Sequence, residues 1–130
     1  MLVHFPLVLW LITPVLDLLS LCLGLQPWWN LSVGVTTIGV AVGVLALMTG
    51  LLDYIDLSDT GSNDVRLAAR HGVRTAVVWC AMSAKLIVAE LTHIGPGLVW
   101  GGLVVDSLAG ALLLQGAYFG TKITYGNYGR

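Results

Sequence analysis

Four long apolar stretches, almost free of charged residues, cover most of the 130 residues and constrain the fold more than any other feature. The chain is 57% hydrophobic and only 10% charged, whereas soluble domains carry about 25% charged residues. A water-soluble domain of this length would leave much of that apolar surface in contact with water. The sequence therefore predicts a protein that resides in a lipid bilayer.

The four apolar stretches have the length of transmembrane helices. Because a helix rises about 1.5 Å per residue, about 20 residues cross a hydrocarbon layer of ~30 Å. The sequence shows none of the period-2 alternation that is typical of barrel strands. We therefore expect an all-α protein, a four-helix transmembrane bundle formed by one domain over residues 1–130, with helices at about 5–25, 31–54, 67–92 and 98–119.

The connections between these helices predict the orientation of the bundle. Residues 26–30 (QPWWN) have the composition of a turn at the lipid–water interface, where tryptophan is enriched. The middle connection, the start of the third helix and the C-terminal tail carry five of the six basic residues, which are Arg66, Arg70, Arg74, Lys122 and Arg130. Because cytoplasmic loops hold an excess of Lys and Arg, we expect both termini in the cytoplasm.

Small residues in the second helix indicate how the helices pack. Gly39 and Gly43 form a G-x-x-x-G step, which lets two helix backbones approach closely within lipid. The pattern is typical of ordinary bundle packing. It also leaves open a second interpretation, a space for a flat ligand against the backbone.

A few charged residues lie within the apolar stretches. An isolated charge at the centre of a bilayer costs at least ~2.5–3.5 kcal/mol, so such residues face the bundle interior and find partners. Counted along the helices, Lys85 is at nearly the depth of Asp17 and Asp106, and we expect it to pair with one of them. Glu90 is closer to the outer surface. The predicted intramembrane charge cluster specifies the fold, forms a proton or ion path, or holds neutral acids.

Two histidines begin helices on the predicted cytoplasmic side. His4 precedes Phe5-Pro6 at the start of the first helix, and His71 follows Arg70 early in the third. Two imidazoles that face each other across a bundle can supply both axial ligands of a haem b, and Arg70 or Arg74 can pair with its propionates. The same histidines with Asp53 suit a divalent metal. Purely structural roles at helix ends are the third alternative.

Short motifs along nearly the whole chain carry a family resemblance. Residues 3–7 (VHFPL) followed by residues 17–19 (DLL) resemble the opening of the DUF2231 family of small bacterial membrane proteins. Residues 50–54 (GLLDY) resemble the family's G-x-x-D end of the second helix, and Arg70-His71 matches its histidine in the third. Residues 116–126 are similar to the closing glycine-rich segment.

The resemblance implies a membrane location and a general role, but no specific activity. The family name denotes unknown function, and its polar positions correspond to His4, Asp17, Asp53 and His71 of this chain. Relatives occur fused or adjacent to redox modules such as Rieske-type iron–sulfur domains. The resemblance therefore implies a multi-pass protein of the bacterial inner membrane with a role in electron transfer.

The leading prediction is an electron-transfer protein or redox subunit that holds haem b by bis-His ligation and is not itself a catalyst. Its partners would be a quinone or an iron–sulfur or cytochrome protein. The net charge of −1 provides no excess of positive charge for binding nucleic acid. The alternatives are a cofactor-free subunit of a larger complex or homo-oligomer, and a small proton or ion carrier. The expected haem site comprises the ligands His4 and His71, the propionate partners Arg70 and Arg74, Asp53 to orient an imidazole, and Trp10 or Tyr118 as lining; the expected carrier site comprises Asp17, Lys85, Asp106 and Glu90.

Overall fold

The computed structural model describes the backbone of residues 4–59 and 65–125, and the side chains of residues 5–59 and 65–118. Within these ranges the chain forms four helices: α1 (His4–Leu23), α2 (Leu25–Asp59), α3 (Val65–Leu91) and α4 (Pro96–Tyr125). All four are long and apolar enough to cross a membrane. The prediction of an all-α bundle with four transmembrane helices is confirmed.

The turn between α1 and α2 is much tighter than the sequence pattern predicts. Residues 26–30 are helical, and the chain reverses at Gly24, whose φ of 146° disfavours any side chain. Pro27 is tolerated because it is the third residue of α2, where a helix has no acceptor for an N–H group. Ser20 Oγ donates to the Leu25 carbonyl at 2.7 Å and so ties the two helices together. Helices α2 and α4 also run past their predicted ends.

The four helices form a bundle in which α1 and α3 are diagonal partners, while α2 and α4 touch across the other diagonal. Helix α1 packs against α2 and α4, and α3 packs against the same two helices. Because successive helices are antiparallel, one end of the bundle holds the start of α1 and the end of α4, and we call it the termini end. The other end, with Gly24 and residues 92–95, is the turn end. That the termini end is cytoplasmic stays a prediction; the Lys122 side chain and Arg130, which contribute to it, lie outside the described residues.

Two tryptophans occupy the small-residue step of α2. A Cβ on Gly43 would lie 2.8 Å from Trp79 Cδ1 and 3.1 Å from Trp10 Cη2, and a Cβ on Gly39 would clash with the Trp10 indole nitrogen. Trp79 Nε1 donates to the Val40 carbonyl at 3.0 Å. Gly39 and Gly43 therefore provide the space in which the Trp10 and Trp79 indole rings pack. A flat ligand at this position would have to displace these two rings.

A proline inside α1 is compensated by a neighbouring hydroxyl. Pro14 has no N–H group, so the Trp10 carbonyl loses its usual helical partner. Thr13 Oγ1 donates to that carbonyl at 2.9 Å instead. Since an unsatisfied carbonyl is costly in hydrocarbon, this bond helps α1 to continue as a helix to Asp17, one turn further on.

Candidate functional site

A group of polar side chains lies inside the bundle, and every helix contributes one of them. Lys85 Nζ on α3 is 2.9 Å from Asp17 Oδ2 on α1 and 2.7 Å from Asp106 Oδ2 on α4. It also donates to Ser32 Oγ on α2 at 3.2 Å. Asp17, Ser32 and Asp106 are fully buried, and Lys85 is 6% exposed. We call these four residues the charge cluster; it contains both of the ion pairs that the sequence offered as alternatives.

The length of the lysine side chain makes this arrangement possible. Helices α1 and α3 are diagonal partners, so a side chain that joins them must cross the centre of the bundle. The four-carbon stem of Lys85 does so and brings its ammonium group between the two carboxylates. An ammonium group has three donors, and Asp17, Asp106 and Ser32 accept all three.

The charge cluster lies within the apolar part of the bundle, nearer to the turn end. Asp17 precedes the end of α1 by six residues, and Lys85 precedes the end of α3 by six, which corresponds to about 9 Å along each helix axis. Asp106 lies ten residues into α4, about 15 Å from its start. The charges are therefore surrounded by protein at a depth where the bundle faces lipid.

Trp29 and Gly102 form the wall of the cluster on the side of the turn end. The Trp29 ring is 4% exposed, and its centroid is 5.3 Å from Lys85 Nζ, within the range of a cation–π interaction. A Cβ on Gly102 would lie 2.8 Å from Asp17 Oδ2 and 3.0 Å from the Trp29 ring. The absence of a side chain at this glycine thus allows α4 to approach the cluster closely.

Each carboxylate uses only one of its two oxygens in a hydrogen bond. Asp17 Oδ1 and Asp106 Oδ1 are buried and have no hydrogen-bond partner among the described residues. With all three groups ionised, one ammonium charge faces two carboxylate charges, so the cluster carries one net negative charge. Chemically, this arrangement is one proton short of neutrality and has two oxygens at which a proton can be added.

Glu90 does not join the charge cluster, although the sequence analysis grouped it there. It follows Lys85 by five residues, which places it about 140° around α3. Its side chain is exposed and lines a separate cavity of about 570 Å³ at the turn end. Gln26, Asn30 and His93 line the same cavity.

A second, much smaller cavity lies at the termini end, beside His71. It has a volume of about 20 Å³, roughly the space that one water molecule requires. His71 Nδ1 is 3.0 Å from the carbonyl oxygen of Gly116 on α4. Pro6 and Leu7 line this cavity as well, so the start of α1 faces the same space as His71.

The structure gathers only part of the predicted haem site around this small cavity. Arg74 and Trp10 line it together with His71, whereas Arg70 and Tyr118 are exposed. Asp53 is exposed too, because it lies about two turns beyond Ala46, the last buried residue of α2 among those described. Asp53 is predicted to orient an imidazole ring. In the structure the Gly116 carbonyl, and not Asp53, contacts the His71 ring. The His4 side chain lies outside the described residues.

The residues at the small cavity fit a haem in their chemistry but not in the available volume. When Nδ1 of a neutral imidazole donates to a backbone carbonyl, its Nε2 keeps the lone pair that a metal ligand needs. Three small residues, Gly43, Ala46 and Gly116, line the same cavity as His71. A cavity of about 20 Å³ does not hold a porphyrin, so a haem would require Trp10 to move or the helices to separate. The described residues contain no group of three or more His, Cys, Asp or Glu side chains suited to a metal ion.

Three members or neighbours of the cluster are not predicted by the sequence pattern, namely Ser32, Trp29 and Gly102. A signal for two of them was present in the sequence of α2, in which one tryptophan and five small residues recur at alternating spacings of three and four. All six are buried in the structure: Trp29, Ser32, Thr36, Gly39, Gly43 and Ala46. That spacing marks one helix face. Gly102 has no such signal, because its role depends on how closely α4 approaches α1.

Comparison with known families identifies the chain. It belongs to the DUF2231 family, described as a predicted membrane protein, whose family model matches residues 1–128. Comparison with curated proteins and with solved structures gives no match. The family description assigns a membrane location and no activity, so any proposal about function has to come from the sites described above.

Proposed function

We propose that this membrane protein is a small proton carrier and that the charge cluster is its proton-binding site. The observation that carries the proposal is the single buried ammonium group of Lys85 between two buried carboxylates. A net charge within the bilayer costs at least ~2.5–3.5 kcal/mol. One proton on either carboxyl group removes that charge, and its release restores it. The cluster can therefore alternate between a neutral and a singly negative form.

Asp106 is the better of the two acids for the added proton. Its Oδ2 already accepts from Lys85, so the proton would bind at Oδ1, which has no hydrogen-bond partner in the part of the chain that the structure describes. The side chain of Thr13 on α1 also faces Asp106. Because Thr13 donates its own hydroxyl hydrogen to the Trp10 carbonyl, its oxygen remains able to accept a hydrogen bond from a protonated Asp106.

The geometry favours a proton over a metal cation. The ammonium group of Lys85 occupies the position between the carboxylates, at 2.7 and 2.9 Å from their oxygens. A sodium or divalent ion would need that position and would have to displace Lys85 into apolar surroundings. A proton binds to a single Oδ1 oxygen and leaves both hydrogen bonds from Lys85 to the Oδ2 oxygens in place.

Infrared spectroscopy and a flux assay test this proposal. The purified protein should show a carbonyl band of a protonated, buried carboxylic acid that shifts in D₂O and is lost in Asp106→Asn. Protein reconstituted into vesicles that contain a pH-sensitive dye should dissipate a proton gradient when a potassium ionophore balances the charge. Asp106→Asn and Asp17→Asn should both lose that flux.

Asp53→Asn is the matched control, because Asp53 is an exposed carboxylate of the same chain. It should retain both the infrared band and the flux. The proposal is overturned if wild-type protein conducts no more protons than protein-free vesicles. It is equally overturned if Asp17→Asn and Asp106→Asn conduct protons as the wild type does.

The second candidate function is electron transfer with a bound haem b, as the sequence analysis predicts. The contact between His71 Nδ1 and the Gly116 carbonyl supports it, because this contact orients the imidazole as in many metal-ligating histidines. His71 and His4 would hold the haem, with Arg74 as a propionate partner. The group would supply one-electron transfer to a quinone or to an iron–sulfur or cytochrome partner.

An absorption spectrum separates the two candidates. Haem-replete protein should show a Soret band that shifts on reduction with dithionite and is lost in His71→Ala. His93→Ala is the control, because His93 is exposed at the opposite, turn end of the bundle. A colourless wild-type protein from haem-replete cells would exclude the haem proposal, and the proton-carrier proposal would be unaffected.

A further inference from the structure

The 570 Å³ cavity at the turn end leads toward the charge cluster. We call it the vestibule; it lies between the start of α2 and the end of α3, and its polar lining consists of Gln26, Asn30, Glu90, Thr92 and His93. Glu90 and His93 are its titratable residues. A cavity of this size and polarity holds several water molecules. Because most of its lining residues are exposed, the vestibule is open to water at the turn end of the bundle.

Trp29 lies between the vestibule and the cluster. Trp29 is one of the residues that line the vestibule, and its ring centroid is 5.3 Å from Lys85 Nζ. Ser32, one turn further along α2, already contacts Lys85. Trp29 therefore borders the vestibule and also contacts the ammonium group.

The termini end offers a far smaller space. Its cavity measures about 20 Å³ against about 570 Å³ for the vestibule. Trp10, which is 1% exposed, belongs to the wall of this small cavity. In this conformation the larger of the two spaces, and the one that Trp29 connects to the cluster, lies at the turn end.

From these observations we propose that the vestibule is the entrance by which protons reach the charge cluster and that Trp29 is the barrier in that entrance. The inference rests on the proposed proton-binding function and assigns its access route. The Trp29 ring blocks a continuous water chain, and its face stabilises the Lys85 ammonium group. A proton enters when the ring moves aside, so the position of Trp29 governs the rate of exchange.

The hydrogen–deuterium exchange of the protonated carboxyl band tests this inference in purified wild-type protein and variants. After transfer to D₂O, Trp29→Ala should exchange severalfold faster than the wild type. Trp28→Ala is the matched control, because the adjacent Trp28 is only half-buried and should exchange at the wild-type rate. An unchanged exchange rate in folded Trp29→Ala overturns the inference.

A second variant tests the entrance without removing a buried side chain. Gly34 lines the vestibule, and a Cβ there would meet nothing within 4 Å. Gly34→Trp should fill the vestibule and slow exchange severalfold, whereas Gly50→Trp, at an equally open glycine near the other end of α2, should not. Equal rates in both variants overturn the access route. A carboxyl band that is present but insensitive to these changes leaves the proton site standing, whereas the absence of the band in wild-type protein overturns both proposals.

Discussion

Gly102 faces Asp17 so closely that a Cβ on this glycine would lie 2.8 Å from Asp17 Oδ2. The same oxygen accepts a hydrogen bond from Lys85 at 2.9 Å, so it cannot retreat without loosening the ion pair. On the other side, the Trp29 ring would be 3.0 Å from the added carbon. The distance between α1 and α4 at the cluster is therefore set by the lack of a side chain at position 102.

Gly102→Ala should destabilise the protein by about 1–3 kcal/mol, the usual cost of overpacking a well-packed interior. Gly101→Ala is the matched control, since Gly101 is exposed and a Cβ there would meet nothing within 4 Å. Unfolding of both variants in mixed detergent micelles, followed by circular dichroism, measures the difference. Equal stability of the two variants would contradict the close approach.

Lys85→Met should cost about 3–5 kcal/mol, because it leaves two buried carboxylates without their counter-charge. The same unfolding measurement applies. The triple variant Lys85→Met, Asp17→Asn, Asp106→Asn contains no charge in the cluster and should recover much of the loss. If the triple variant is no more stable than Lys85→Met, the loss comes from packing and not from unpaired charge.

Gly39→Ala should destabilise the bundle by about 1–3 kcal/mol, because the new methyl group would collide with the Trp10 indole. Gly34→Ala in the same helix meets no neighbour and should be neutral or stabilising by up to about 1 kcal/mol through helix propensity. Thermal unfolding in one detergent compares them directly. A loss of stability in Gly34→Ala equal to that in Gly39→Ala would show that the Trp10 contact is not responsible.

Thr13→Val should cost about 1–3 kcal/mol, because it leaves the buried Trp10 carbonyl without a partner next to Pro14. Thr37→Val provides the control. Thr37 makes a similar bond to the Val33 carbonyl at 2.8 Å, but that carbonyl lies in an uninterrupted helix and keeps its amide partner. The control should change the unfolding free energy by no more than about 0.5 kcal/mol; similar losses in both variants would argue against a special role for Thr13.

The pairing of Lys85 illustrates how far the sequence could predict the site. Counting residues from the helix ends predicts that Lys85, Asp17 and Asp106 share a depth, because the rise per residue is constant. Depth alone leaves open which carboxylate the lysine meets. The structure brings both to it, because α1 and α4 each turn an acidic residue toward the centre and the lysine stem reaches across the diagonal.

The turn at Gly24 shows a different limit. Residues 26–30 have turn-like composition, yet they are helical in the structure. Local propensity favours a loop there, whereas Pro27 is acceptable in the first turn of a helix. The burial of Trp29 against α4 and Lys85 then favours the helical state. Packing decided this segment, and composition by itself pointed the other way.

The sequence alone determined that the protein spans a membrane with four helices, because the length and polarity of an apolar stretch are local properties. It also determined which depths hold charges. Only the tertiary structure decided that Glu90 lines the vestibule while Lys85 joins the cluster, and that the Gly116 carbonyl contacts His71. Those outcomes depend on the rotation of each helix about its axis and on the distance between helices, which the packing of all four helices sets together.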